Sequence, residues 1–184
     1  MTLFPYTTLF RSLLSKIDNS QFADLQEISL NEVLERYLSD YQEVYDYKNI
    51  TLDVEVKGDF RLMINDTLAV VLMTNLLKNA FVHNINNGKI LIEINSASIR
   101  LGNTGTGVML DEKRIFDRFY QTRNDQNNVN SGTGVGLHLT RSLVELHHGE
   151  IFAKNNESGI GSCFIVRIPL GKNHLHPEDI DHSM

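Results

Sequence analysis

The chain of 184 residues has only one cysteine, Cys163. A lone thiol excludes an internal disulfide and a cysteine-based zinc site, and it fits a reducing compartment. No apolar run approaches the ~20 residues of a membrane-spanning helix, so an anchor would have to lie outside this chain. Clustered positive charge is also missing. The formal charge is -6, and acids and bases are mixed along the chain rather than gathered in blocks. Nucleic-acid binding needs a basic face, so none is expected of this domain. There is no internal repeat. What remains is an ordinary apolar fraction of 41%, in a length that suits one globular domain with a short appendage.

Residues 2–12 read TLFPYTTLFRS, the translation of a sequencing-library adapter. Residues 1–12 are therefore set aside from the fold as artefactual. Residues 13–26 (LLSKIDNSQFADLQ) read as the last turns of a helix. Ser29 caps the next helix, with Glu32 completing a capping box, and Val33, Leu34, Tyr37 and Leu38 lie on one face. Residues 50–56 (ITLDVEV) alternate as a half-buried strand, and a Gly58-Asp59 turn leads to a second strand over 60–64. Asp66 caps a helix of about five turns, over 67–83. An Asn86-Asn87-Gly88 turn precedes a hairpin-like pair at 89–95 and 98–101. A glycine-rich stretch, 102–107, is followed by a short helix near 112–120. Residues 121–131 are polar and read as a mobile loop. A helix opens at 132–136 and ends at Gly149, and strands at 150–154 and 162–169 close the domain. The tail from Gly171 reads as loose. These elements make an α+β fold, a two-layer α/β sandwich in which one mixed sheet carries its helices on one face.

Within the long helix, Ala69, Met73, Leu77 and Ala80 form a packing stripe, while Asn75 and Asn79 share another face. Amides in a helix middle carry a propensity cost. A neutral amide oxygen suits Mg²⁺ shared with phosphate, and a plain solvated face remains the equal alternative. The NTGTG of 103–107 lets backbone approach a flat ligand, although a lone G-x-G is most often a turn. The GTGVGL of 132–137 is stronger, because glycine amides and a helix N-terminus together suit polyphosphate. It is neither a Walker loop nor a dinucleotide fingerprint.

NLLKNAFVHN (75–84), NTGTG (103–107), IFDRFYQ (115–121), GTGVGL (132–137) and GIGSCF (159–164) occur in that order. They resemble the asparagine, first glycine, phenylalanine, second glycine and final glycine boxes of the histidine kinase ATPase domain. That Bergerat-fold family is shared with DNA gyrase, the ninety-kilodalton heat-shock chaperones and MutL. The resemblance spans 28–170, and LLSKIDNSQF is similar to the end of the dimerising, phosphoacceptor helical hairpin. Residues 171–184 are the tail, and the style of several segments is similar to Bacteroidetes kinases, hybrid regulators included.

The resemblance implies a role for each position. Asn79 would ligate Mg²⁺ on the ATP phosphates, with Asn75 one turn back beside the γ-phosphate. Asn103 would face the adenine amino group, Gly105 and Gly107 would give the base room, and Ser162 would help through water. Phe116 and Phe119 would pin the base of a lid spanning 108–131. Gly132, Gly134 and Gly136, with Thr133, Val135 and Leu137 between and after them, would hold the phosphates. His83, Gln121 and Arg123 stand close enough to join the nucleotide site.

Three positions depart from the family pattern. Asn103 stands for the usual Asp, Val82 for a Lys or Arg, and Gln121 for a frequent Arg, which leaves Arg123 as a nearby substitute. None of the seven histidines lies in the family's phosphoacceptor context, and a packed, neutral role is the first reading of His83. The implied whole is a cytoplasmic catalytic domain of a two-component sensor kinase of the bacterial inner membrane. It would use ATP and Mg²⁺ and partner its own upstream helices as a homodimer, together with a response regulator or receiver domain. A degenerate nucleotide- or partner-binding module, and an ATP-driven clamp of the gyrase or chaperone type, stay open as alternatives.

Overall fold

The computed structural model describes residues 12, 15, 24–121, 134–156 and 161–169. The chain runs β1 (Gln26–Ser29), α1 (Leu30–Val44), a 3₁₀ turn (Asp46–Lys48), β2 (Thr51–Val56), β3 (Arg61–Ile64), α2 (Asp66–Val82), β4 (Lys89–Asn95) and β5 (Ser98–Asn103). It then continues through α3 (Gly136–Leu146), β6 (Glu150–Asn155) and β7 (Ser162–Arg167).

Five strands form a mixed sheet in the order β2-β4-β5-β7-β6. The β2–β4 pair is parallel and the rest are antiparallel. The parallel pair needs a crossover, and β3 followed by α2 supplies it. Ile90, Ile92 and Ile94 of β4, with Ile99 and Leu101 of β5, are buried on the helix side, as period-two alternation requires.

The α+β sandwich therefore stands, but the single sheet is corrected. β3 pairs antiparallel with β1, Ile28 opposite Leu62, in a separate two-stranded ribbon. Gly58-Asp59 is thus not a hairpin turn between β2 and β3. The partner strand comes from before α1, in residues read as helical through Gln26, and four residues are too few to show a period. The rest of the hairpin-end reading, the adapter segment, the polar stretch 122–131 and the tail lie outside the described residues.

Helix starts follow local chemistry. The Ser29 hydroxyl accepts from Glu32 N–H at 3.3 Å and donates to Asp59 at 2.5 Å. That hydroxyl, with Arg61 beside it, holds the Asp59 carboxyl below its ordinary range. For α2 the cap is Asn65, one residue earlier than expected. Its side chain accepts from Thr67 N–H at 3.0 Å, and Asp66 falls in the first turn, where a negative charge is favoured by the helix dipole. The predicted short helix at 112–120 is a series of turns. Asp111 caps the Lys113 and Arg114 amides, but Phe119 adopts φ 65, a left-handed value that ends any helical run.

α2 is sandwiched between α1, α3 and the sheet. The expected stripe of Ala69, Met73, Leu77 and Ala80 is buried, and Leu68, Leu72, Leu76 and Phe81 are buried as well. Beyond its first turn, the polar residues Thr74, Asn75, Lys78 and Asn79 of this helix are half-buried or exposed.

His147 caps the end of α3 and is buried; its Nδ1 donates to the Leu143 carbonyl at 2.8 Å, while Nε2 makes no well-formed hydrogen bond among the described residues. Burial pushes the imidazole below the ordinary 6.5, against the pull of that carbonyl. The folded form thus holds a neutral ring, whereas the unfolded chain protonates at about 6.5. His147 is thereby expected to contribute stability fully above pH ~6.5, and this is lost progressively as pH falls from there toward the lowered folded value. Thermal melts of the parent and His147→Gln between pH 8 and 5.5 test this. The variant's Tm should depend less steeply on pH below 6.5, and equal slopes would refute it.

Candidate functional site

A cavity of about 380 Å³ opens between the end of α2, the turn after β5 and the start of β7, within the size range of ligand pockets. Its walls include Asn79 and His83 from α2, Asn103 and Gly105 from the first glycine stretch, Leu137 from α3 and Ser162 from β7. Sequence segments more than 80 residues apart in the chain thus converge on one space.

Asn103, the end residue of β5, is only 4% exposed. Its amide nitrogen donates to the Thr104 carbonyl at 2.7 Å, and its oxygen accepts from the Ser162 hydroxyl at 3.1 Å. These bonds settle the orientation of the amide: one of its two N–H donors goes to the Thr104 carbonyl, and the oxygen keeps a second lone pair for a donor in the cavity. The β5–β7 ladder sets this pair, since Asn103 lies directly opposite Ser162. Gly161 must be glycine here. Its φ is 106, and a Cβ would stand 2.0 Å from the Asn103 carbonyl oxygen, so the final glycine stretch closes against the first.

Asn79 turns its amide nitrogen back to the Asn75 carbonyl at 2.7 Å. Its oxygen has no donor among the described residues, which leaves it free for a hard cation. No acidic residue lines the cavity, and no cluster of three metal-ligating side chains occurs among the described residues. A neutral oxygen of this kind fits a Mg²⁺ that arrives with its negative ligands supplied by phosphate.

Asn75 lies elsewhere. It is not in the cavity wall; its side-chain nitrogen donates to the Gly136 carbonyl at 3.3 Å, joining α2 to the start of α3. Among the described residues, Val135 precedes α3 with no side-chain cap on the first-turn amides, the groups that a helix N-terminus offers to an anion. Gly134 has φ 69, its carbonyl accepts from Phe119 N–H at 3.0 Å, and a Cβ would meet the Tyr120 carbonyl oxygen at 2.7 Å. The second glycine stretch and the phenylalanine stretch are thus in backbone contact.

Phe116 is buried and packs edge-on against Phe164, ring centroids 6.4 Å apart. Phe119 is placed differently. Its side chain is 61% exposed and lies against the Arg118 guanidinium. Gly107 is likewise outside the cavity wall, with open space around it. Gln121 is half-buried and also outside the wall, while Arg123, Gly132 and Thr133 fall beyond the described residues. The sequence reading missed Lys48, Asn84, Leu110 and Ile115 in the wall. Asn84 closed a quoted motif, but Lys48 sits in a short turn with no signature.

Comparison with known proteins gives the family of the domain. The profile described as histidine kinase-, DNA gyrase B- and HSP90-like ATPase matches residues 64–172, more than half of the chain. The chain belongs to that ATPase family, and its similar relatives within it are sensor histidine kinases. The sensor histidine kinase TmoS of Ectopseudomonas mendocina is 30% identical over 164 residues, which are 85% of this chain and 17% of that protein. Histidine kinase P4 of Formosa agariphila is 31% identical over 90% of this chain and 13% of its own length. The chain therefore spans a small part of the curated relatives it matches. Among solved structures, the nucleotide-free catalytic domain of histidine kinase ThkA superposes with a TM-score of 0.65 at 28% identity, covering 80% of this chain and 98% of that one. Among the described residues, no helix is long and apolar enough to cross a membrane.

Proposed function

We propose that this domain binds Mg-ATP in the 380 Å³ cavity and transfers the γ-phosphoryl group to a histidine on a separate, upstream helical segment. The observation that carries the reading is the meeting of Asn79, Asn103 and Ser162 in one wall, with the oxygens of both asparagines left to accept. Asn103 reads the adenine amino group, with Ser162 holding its oxygen in place. Asn79 holds Mg²⁺, which when bound neutralises phosphate charge. The amides of 134–136, with Gly132 and Thr133 before them, cradle the phosphates. Asn75 holds the start of α3 against α2, and Gln121 and Arg123 approach the phosphates from the lid. Phosphoryl transfer rests chiefly on such positioning and charge neutralisation.

The whole protein, on this reading, works as a homodimer through its upstream helices, passes phosphate to a response regulator or receiver domain, and reaches the membrane only through upstream segments. A solved complex of ThkA with the response regulator TrrA supports the partner class.

Incubation with radiolabelled ATP tests the assignment. The chain alone should acquire no acid-labile phosphate. Mixed with a phosphoacceptor helical segment from a sensor histidine kinase, it should label a histidine of that segment. Label on any of its own seven histidines would show the acceptor to be misplaced.

A further inference from the structure

Lys48 ends the 3₁₀ turn between α1 and β2, and its ammonium is half-buried at the far end of the cavity wall. Nζ donates three hydrogen bonds, to the carbonyls of Phe81, Val82 and Asn84, each at 2.9 Å. These carbonyls end α2 and begin the following turn. Terminal helix carbonyls lack intrahelical donors and carry the negative end of the dipole. α2 has no basic residue in its own last turn, so the cation that satisfies it comes from another element.

The stem of Lys48 is held by an aromatic group. Nζ lies 5.4 Å from the Tyr45 ring centre, and Tyr45 and Tyr41 each pack on Phe81 with centroids 5.7 Å apart. The polar contacts continue on the other side. The Asn84 side-chain oxygen accepts from Ile85 N–H at 2.9 Å and from the Thr104 hydroxyl at 2.5 Å, and its nitrogen donates to the Lys89 carbonyl at 3.2 Å. Thr104 is the residue whose carbonyl accepts from Asn103. A continuous run of bonds thus connects Lys48, the end of the helix bearing Asn79 and His83, Asn84, Thr104 and Asn103.

Resting on the proposed Mg-ATP reading, we propose that Lys48 is a positioning residue for the nucleotide. It fixes the spacing between the α2 end, which holds the phosphate–metal group through Asn79, and the turn after β5, which holds the base through Asn103. Its three donors are spent on carbonyls, so it acts through these elements rather than by touching phosphate. A ligand spanning both ends is sensitive to that spacing, since displacements near 1 Å suffice to degrade a preorganised site. A ligand that occupies only the base end is much less so.

The test is calorimetric titration of the full 184-residue chain, with Lys48→Met removing the donors and Lys57→Met, outside the cavity wall, as an exposed-lysine control. Mg-ATP and adenosine are titrated well below each protein's Tm. Lys48→Met should weaken Mg-ATP about tenfold or more while adenosine changes less than about threefold, and Lys57→Met should leave both unchanged. Lys48→Gln, which keeps two N–H donors on a shorter arm, should fall between; it carries the same comparison if Lys48→Met does not fold. A lowered Tm with unchanged Mg-ATP affinity would overturn the proposal and leave Lys48 a structural staple. Equal weakening of both ligands would also overturn it, because only the base end would then be affected. A parent chain that binds adenosine but not Mg-ATP would remove the nucleotide reading itself, and it is recognised without any variant.

Discussion

Asn79→Ala is expected to weaken Mg-ATP binding by about a hundredfold while leaving the domain as stable as before, or slightly more so. The two halves of this expectation have separate origins. Loss of outer-shell partners alone costs metal sites about 10–100-fold, and Asn79 would be a direct oxygen ligand. Among the described residues, its side chain makes a single hydrogen bond, back to the Asn75 carbonyl within the same helix. Alanine is the better helix former by roughly 0.5 kcal/mol, so folding does not depend on the amide. Calorimetry with and without EDTA, alongside thermal melts, separates the two. The parent should lose affinity under EDTA, whereas the variant should be weak in either condition. Tight binding indifferent to both EDTA and the substitution would remove Asn79 from the metal role.

Asn103→Leu is expected to lose ATP binding roughly ten- to a hundredfold and to destabilise the free domain as well. The adenine amino group would be buried against an alkyl chain, which costs about 1–3 kcal/mol. The Thr104 carbonyl and the Ser162 hydroxyl would each lose the partner they now have at 2.7 and 3.1 Å. Asn103→Asp separates these effects. Its carboxylate still accepts from the amino group, and through a stronger charge-assisted bond, so ATP affinity should be kept or improved. The same carboxylate would face the Thr104 carbonyl where an N–H now points, so the Tm of the free domain should fall. GTP, which presents a carbonyl in place of that amino group, should bind the parent less tightly than ATP, because it offers no donor there to the remaining lone pair of the Asn103 oxygen. Titrations with both nucleotides, with melts in the absence of ligand, decide the matter. If Asn103→Leu binds ATP as well as the parent, Asn103 does not read the base.

The parts of the fold legible in the sequence are those where a period is long enough to be counted. The alternation of KILIEIN gave β4 at 89–95, and the stripe of Ala69, Met73, Leu77 and Ala80 marked the buried side of α2. What escaped depended on partners distant in the chain. β1 has four residues and makes sense only opposite β3. Asn65 and Asp66 are both competent caps, and only backbone direction chooses between them. The candidate site divides in the same way. Asn79, Asn103, Gly105, Leu137 and Ser162 sit in boxes with a recognisable order, and the structure brings them to one wall. Phe119 looked equivalent to Phe116 until the left-handed turn sent its ring outward. Lys48 carries no local signal at all, because its role is defined by three carbonyls more than 30 residues away.

The five-stranded sheet is open at both ends, with β2 on one border and β6 on the other. Unpaired strand borders are templates on which a second chain can add. Here they are lined with charge. β2 carries Asp53 and Glu55, bridged at 2.8 and 2.9 Å to Lys89 and Lys57, and β6 carries Glu150 and Lys154. Such exposed bridges add little stability, yet any strand arriving from another copy would have to strip water from them. Aggregation by strand addition is thereby discouraged at both borders.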